Sequence, residues 1–229
     1  MNKVLLVIPA YNEEANIKMV VDELVNHYPQ LDYVVVNDGS RDRTAQICRD
    51  NGYNLLDLPV NLGLAGCFQA GMKYAYRKGY EYAIQFDGDG QHRPEYIDSM
   101  REKMEEGYDI VIGSRFVNEK KDMSMRMLGS RLIAAAIKLT TGVTVTDPTS
   151  GMRMFGGKMI KEFALNINYG PEPDTVSYLL KQGARIAEVP VKIAERIGGE
   201  SYLKPTVAVR YMTRILISIL LVQNFRVRV

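Results

Sequence analysis

The sequence has few cysteines, few histidines and no long apolar run. Cys48 and Cys67 are too few for a disulfide framework and lack metal-ligand spacing, so a reducing compartment is the default expectation. His27 and His92 alone exclude a histidine-rich metal site. Near the C-terminus the longest apolar stretch, Ile215–Val222, contains Ser218 and falls far short of the roughly 20 residues of a membrane-spanning helix. We therefore expect the chain not to cross a bilayer by itself. At the N-terminus a brief apolar run is stopped by Pro9 and followed by Glu13 and Glu14, which reads as a buried strand and not as a signal peptide. Gly-x-Gly-x-x-Gly and Gly-x-Ser-x-Gly are both missing, which argues against a dinucleotide cofactor and a hydrolase nucleophile elbow. Gly66 and Gly71 have the spacing of a phosphate-cradling loop, but Met72-Lys73 follows where Lys-Ser/Thr is required.

What is present suits one folded domain. Of the 229 residues, 46% are hydrophobic and 24% charged, which excludes disordered and collagen-like chains. Net charge is +2, but its distribution is uneven. From Ser201 onward come Lys204, Arg210, Arg214, Arg226 and Arg228 with no acidic residue, so the preceding body is net acidic. The tail is apolar between its charges, which favours a membrane surface over nucleic acid. A helix is expected after Pro205, over 206–222. Its apolar face would be Val207, Tyr211, Ile215, Leu216, Ile219 and Leu220, with Arg210 and Arg214 along one edge. Laid flat, it would put that face in the acyl boundary; the alternative packs it on the protein or in an oligomer. The expected division is a catalytic domain over 1–204 and an amphipathic basic segment over 205–229.

Strand and helix signals alternate through the body. Strands are expected at Val4–Ile8, Tyr33–Val36, Asn54–Leu58, Tyr82–Phe86, Asp109–Ile112 and Ile186–Ile193. Helices are expected over Glu13–His27, from Ser40 or Asp42 to Arg49, over Leu64–Arg77 closed by Gly79, from Pro94 to Glu106, near Lys158–Ala164 and over Pro173–Gln182. Met125, Leu128, Leu132, Ala135 and Leu139 step by three and four and mark one more helix by its apolar side; Arg131 and Lys138 are assigned to a different face. This alternation implies an α/β fold, a doubly wound and mostly parallel sheet with helices on both faces. Ligands in such sheets bind beyond the carboxyl ends of the strands. Three polar clusters stand at such ends: Pro9–Glu14, Asn37–Ser40 and Asp87–Gln91.

Asp87-Gly-Asp89 sets two carboxylates on a flexible turn, and Gln91 adds a neutral oxygen. Such donors suit Mg²⁺ or Mn²⁺, which keep waters and share their shell with substrate phosphates. A calcium loop beginning at Asp87 fails at its sixth position, where His92 replaces the required glycine. His92 itself reads more readily as a structural residue than as an acid or base.

Taken in order, several motifs resemble family 2 glycosyltransferases of the GT-A fold. They are Ile8-Pro-Ala-Tyr-Asn-Glu-Glu14, Val36-Asn-Asp-Gly-Ser40, Asn61-Leu-Gly63, Asp87-Gly-Asp-Gly-Gln-His92 and Ile112-Gly-Ser-Arg115. Asp147-Pro-Thr-Ser-Gly-Met-Arg153, Ala187-Glu-Val-Pro-Val191 and the later Arg196 and Gly199-Glu-Ser201 are similar to the branch that glycosylates polyprenyl phosphates. That branch includes dolichyl-phosphate mannose synthases and undecaprenyl-phosphate sugar transferases. Tyr202 stands where the family often has lysine. The resemblance implies that Pro9, Tyr11, Glu13 and Asp38 hold the nucleoside and that Asp87 lies by ribose and diphosphate. It implies further that Asp89 and Gln91 bind Mg²⁺ or Mn²⁺, and that Arg115, Arg131, Ser150 and Arg196 receive the acceptor phosphate. Asp89, Asp147 and Asp174 would be the acidic residues at the reaction centre. The implied activity is inverting transfer from a nucleotide diphosphate sugar, UDP-linked by comparison with bacterial relatives, to a polyprenyl phosphate on the cytoplasmic face of a membrane. A different acceptor and a non-catalytic nucleotide-sugar sensor are the competing readings; nucleic acid is not an expected partner, and a homo-oligomer or small membrane partner protein stays open.

Overall fold

In the computed structural model the described residues are 4–118, 125–166, 169–192 and 205–225. Seven strands form one sheet: β1 (Val4–Ala10), β2 (Asp32–Asn37), β3 (Leu55–Asp57), β4 (Tyr82–Gln85), β5 (Ile110–Ser114), β6 (Arg153–Gly156) and β7 (Ile186–Pro190). Their order is β3-β2-β1-β4-β6-β5-β7. All pairings are parallel except those of β6, which runs antiparallel between β4 and β5. Eight α-helices are described: α1 (Ile17–His27), α2 (Thr44–Asp50), α3 (Gly63–Lys78), α4 (Ile97–Glu105), α5 (Met125–Thr141), α6 (Gly157–Leu165), α7 (Pro173–Lys181) and α8 (Pro205–Leu220).

The continuous apolar run of β1 reflects burial on both faces. Leu5 and Val7 enter one core with residues of α3, α5, α6, α7 and α8, while Val4, Leu6, Ile8 and Ala10 enter a second core with α1, α2 and α4. Phe163 meets Phe68 and Phe155 edge-on in the first, and Phe68 and Phe155 are tilted, with ring centroids 5.1–5.5 Å apart. Gly79, left-handed at φ 72°, ends α3 where the sequence places the stop.

Three expectations are corrected. First, β6 falls in a stretch where no strand was expected. It has four residues, begins with a buried arginine and ends with glycine, so it shows no apolar alternation. Secondly, Arg131 and Lys138 were assigned to a different face from the α5 stripe, but that stripe faces outward: Leu128, Leu132 and Leu139 are 45%, 50% and 80% exposed. Arg131 and Lys138 share that outward side. The buried side is Met127, Ile133, Ala136 and Ile137. Both stripes satisfy helical spacing, so periodicity identifies the helix without choosing its inner face.

Thirdly, the α8 face expected in a membrane is packed on the domain. Ile215 and Ile219 are 0% exposed within the first core, with Tyr211, Met212 and Leu216 against it. Polar contacts fasten the helix. Ser218 Oγ donates to Asp174 Oδ2 at 2.7 Å, the Gln223 amide donates to the Asp174 carbonyl, and Arg214 pairs with Glu172 at 2.7 Å. Outward on α8 lie Val209, Ile217, Leu220 and, just beyond it, Leu221. No helix among the described residues is long and apolar enough to cross a membrane.

This packing has a measurable consequence. Ile215→Ala should cost about 2–4 kcal/mol by chemical denaturation, because it leaves a core cavity. Leu139→Ala should stay within about 0.5 kcal/mol. Equal effects at the two positions would contradict the packing of α8.

Candidate active site

Strand register brings the three polar clusters together. Pro9 pairs with Val36 and Ala10 with Asn37, while the Phe86 N–H donates to the Val7 carbonyl at 2.9 Å as β4 ends. Beyond β1, Tyr11 and Glu13 are half-buried on a turn that Asn12 enters with φ 57°. Asparagine tolerates that left-handed conformation well. The turn is laced to the β2–α2 loop: Asn12 N–H donates to Ser40 Oγ at 3.0 Å, Glu13 N–H to Thr44 Oγ1 at 2.9 Å, and Arg41 N–H to Asn12 Oδ1 at 2.9 Å. Asp42 Oδ1 accepts from the Thr44 N–H, so Asp42 supplies the capping contact expected at the start of α2.

Asp38 is buried, and its Oδ1 accepts the Leu62 N–H at 2.7 Å. Its carbonyl accepts from Asn61 Nδ2 at 3.1 Å. Gly39 makes this closure sterically feasible: a Cβ there would lie 2.6 Å from Asn61 N, at φ 63°. The Asn61-Leu-Gly63 motif therefore packs over Asp38 and holds its carboxylate in place.

At the end of β4, Asp87 is partly exposed and Asp89 is buried. Asp89 Oδ1 accepts the Gln91 N–H at 3.1 Å, which shapes the turn. His92 is buried; its Nδ1 accepts the Asp87 N–H at 2.9 Å, and its ring meets Phe86 edge-on at 5.7 Å. With Nδ1 an acceptor, hydrogen bonding assigns the ring proton to Nε2, 3.4 Å from Asp87 Oδ2. His92 thus braces Asp87 from beneath.

The second half of the site lies beyond β5. Asp147 is 0% exposed, and its carboxylate takes Arg115 Nε at 2.7 Å, Arg115 Nη2 at 2.8 Å and the Arg115 backbone N–H at 3.1 Å. Thr149 Oγ1 joins at 3.2 Å. From β7, Glu188 accepts the Thr146 and Asp147 N–H groups, both at 2.7 Å. Ser150 is buried, donating to the Gly113 carbonyl at 2.5 Å. The two halves meet at Gly151, where a Cβ would sit 3.0 Å from Asp87 Oδ2 and 3.3 Å from His92 Cε1. Beneath them Arg153 is fully buried, its guanidinium donating to the Pro148 carbonyl at 2.7 Å and to the Pro171 carbonyl. Burial pushes its pKa down, while Tyr211 and the Asp147, Glu172 and Asp87 carboxylates oppose the shift.

Pro9, Tyr11, Glu13, Asp38, Asp87, Asp89 and Gln91 therefore form one group, and Arg115, Asp147 and Ser150 a second beside it. Asp174, at the first turn of α7, bonds α8 through Ser218. Arg131 stands on the exposed side of α5, and Arg196 lies outside the described residues. No role had been assigned to Glu188 or Arg153, although both lie in quoted motifs. A glutamate in a strand and an arginine after a methionine give no sign of burial from sequence alone.

A sequence model of glycosyl transferase family 2 matches residues 5–164. The chain belongs to this family. Among its relatives is the undecaprenyl-phosphate mannosyltransferase of Micrococcus luteus, 30% identical, with 87% of this chain and 86% of the relative aligned. Another is the UDP-N-acetylglucosamine–dolichyl-phosphate N-acetylglucosaminyltransferase of Methanococcus voltae, 31% identical over 82% of this chain and 84% of that one. The fold matches glucosyl-3-phosphoglycerate synthase of Mycobacterium tuberculosis, solved with Mn²⁺ and UDP-glucose. That match has a TM-score of 0.70 at 20% identity, over 97% of this chain and 79% of the other. The family 2 chain thus has the GT-A architecture expected from its motif order.

The buried ion pair makes a thermodynamic prediction. Arg115→Ala strands a buried carboxylate and should cost about 3 kcal/mol or more. The double substitution Arg115→Ala/Asp147→Ala should cost less than the sum of its singles. Additive losses in urea denaturation would show that the two side chains are not coupled.

Proposed function

We propose that this protein transfers a sugar from a nucleoside diphosphate, UDP in our reading, to a polyprenyl phosphate with inversion at the anomeric carbon. The observation that carries this reading is the meeting of two subsites across Gly151. One holds the acidic Asp87–Gln91 turn, and the other the guanidinium of Arg115. The names of the mannosyl- and N-acetylglucosaminyltransferase relatives support the lipid phosphate acceptor. The Mn²⁺ and UDP-glucose bound by the structural neighbour support the donor side.

In this reading Pro9, Tyr11, Glu13 and Asp38 hold the nucleoside, and Asp87, steadied by His92, orients ribose and diphosphate. Asp89 and Gln91 would hold Mg²⁺ or Mn²⁺. No group of three His, Cys, Asp or Glu side chains suited to a metal gathers among the described residues. The oxygen donors of this turn fit an ion that completes its shell with water and phosphate oxygens. When bound, such an ion neutralises charge developing on the departing diphosphate. The acceptor phosphate monoester, with a second pKa of about 6, is already ionised near neutral pH and needs no strong general base. Arg131, Arg196, Ser150 and Arg115 would receive it, with guanidinium geometry suited to phosphate oxygens. We assign Asp147 to fixing Arg115, and Asp174 to anchoring α8 beside the acceptor side. Their contribution is positioning, which counts heavily when two anionic substrates must be brought together. Because the acceptor is a lipid, the protein acts at a membrane surface.

Asp89→Asn should retain the fold and lose about 10²-fold or more in turnover with Mg²⁺ or Mn²⁺ supplied. Excess chelator should have a similar effect on the unaltered protein. Turnover at the original rate in either case would remove the metal from this account.

A further inference from the structure

Two buried side-chain atoms beneath the site have no hydrogen-bond partner among the described residues, Oε1 of Gln85 and Nε of Arg153. One is an acceptor and the other a donor. The residues that carry them are direct partners across the antiparallel pairing of β4 and β6. Side chains at such paired positions stand on the same face of a sheet. Their other polar atoms reach toward different halves of the site. Gln85 Nε2 donates to Asp87 Oδ1 at 3.4 Å, and the Arg153 guanidinium donates to the Pro148 carbonyl at 2.7 Å. Pro148 follows Asp147, whose carboxylate holds Arg115. A buried polar atom left open is costly, and closing one of these atoms on the other satisfies both.

From these features we propose that Gln85 is a positioning residue whose carboxamide links Asp87 to Arg153. Its Nε2 donates to the Asp87 carboxylate, and its Oε1 accepts from Arg153 Nε–H. Asp87 is then held on both oxygens, by Gln85 on Oδ1 and by His92 on Oδ2. The contacts run from Asp87 through Gln85 and Arg153 to Pro148, and on through Asp147 to Arg115. Gln85 touches no substrate in this arrangement; it sets the separation between the carboxylate assigned to ribose and diphosphate and the guanidinium assigned to the acceptor phosphate. Attack on the anomeric carbon depends on that separation. This inference rests on those two assignments under the proposed function.

Gln85→Met, close in size and without hydrogen-bonding nitrogen or oxygen, tests the link. Melting temperature should fall by no more than about 2–4 °C, the scale of one hydrogen bond in a chain of this size. Turnover number should drop about tenfold or more, with little change in KM for the nucleotide sugar or the polyprenyl phosphate. Arg153→Lys keeps the charge and loses the guanidinium Nε–H. In that background Gln85→Met should cause little further loss, because the two act as a unit. Hydrogen exchange reads the link without turnover and without the second variant. UDP with Mn²⁺, or GDP where UDP does not bind, should slow exchange over 147–152 in the unaltered chain and not in Gln85→Met. The proposal is overturned if Gln85→Met turns over at the original rate, if the losses multiply in the double variant, or if the nucleotide protects 147–152 equally in both chains. Nucleotide-dependent protection that Gln85→Met abolishes, in a protein that transfers no sugar to polyprenyl phosphate, would support the link and reject the acceptor reading instead.

Discussion

A carboxylate with no solvent exposure must be surrounded by donors, and Asp147 meets that requirement in a way that orders half of the site. Its partners come from separate parts of the chain: Arg115 just beyond β5, Thr149 in its own loop, and through its backbone Glu188 on β7. β5 and β7 are neighbours in the sheet, so the ion pair and the parallel pairing enforce one another. Leaving either charge unpaired in such a place is costly, whereas the pair itself need add little net stability. Its value is specificity of geometry: the Arg115 guanidinium is held in one orientation by Asp147.

The half of the site beyond β1, β2 and β4 relies on a different device. Its loops are joined mainly by backbone N–H groups donating to side-chain oxygens, as at Asn12, Glu13 and Leu62. These bonds satisfy turn backbones at the ends of β1 and β2 and hold Asp38 and Tyr11 against the same edge. Gly151 links the two halves: a Cβ there would crowd the Asp87 carboxylate at 3.0 Å and the His92 ring at 3.3 Å. A nucleotide sugar and an acceptor phosphate would thus be held by two rigid shells in contact, which is what a positioning mechanism for two anions requires.

Much of this was legible in the sequence, and the illegible parts share a cause. The strand ends with Pro9, Asp38 and Asp87 could be placed because parallel strands are continuous apolar runs followed by polar turns. β6 escaped because four residues beginning with Arg153 have no period to read. On α5 the stripe read from sequence is the outward one, because the helix has two apolar stripes and only the neighbouring elements decide which is covered; on α8 the apolar face was read correctly, but its burial against the domain and not a membrane depends on those elements. Glu188 and Arg153 could be quoted as parts of motifs, but their burial depends on loops distant in sequence. The contact of Asp174 was illegible for the same reason, since its partner Ser218 lies in α8.

The account's central claim concerns the reaction, and product analysis addresses it most directly. The protein would be incubated with a panel of nucleotide sugars, polyprenyl phosphate and a divalent cation, and the lipid product examined by NMR. The account predicts a sugar joined to the lipid phosphate, equimolar nucleoside diphosphate, and an anomeric configuration opposite to that of the donor. Transfer to a soluble acceptor with the lipid phosphate untouched, or a lipid product that keeps the donor's configuration, would contradict it.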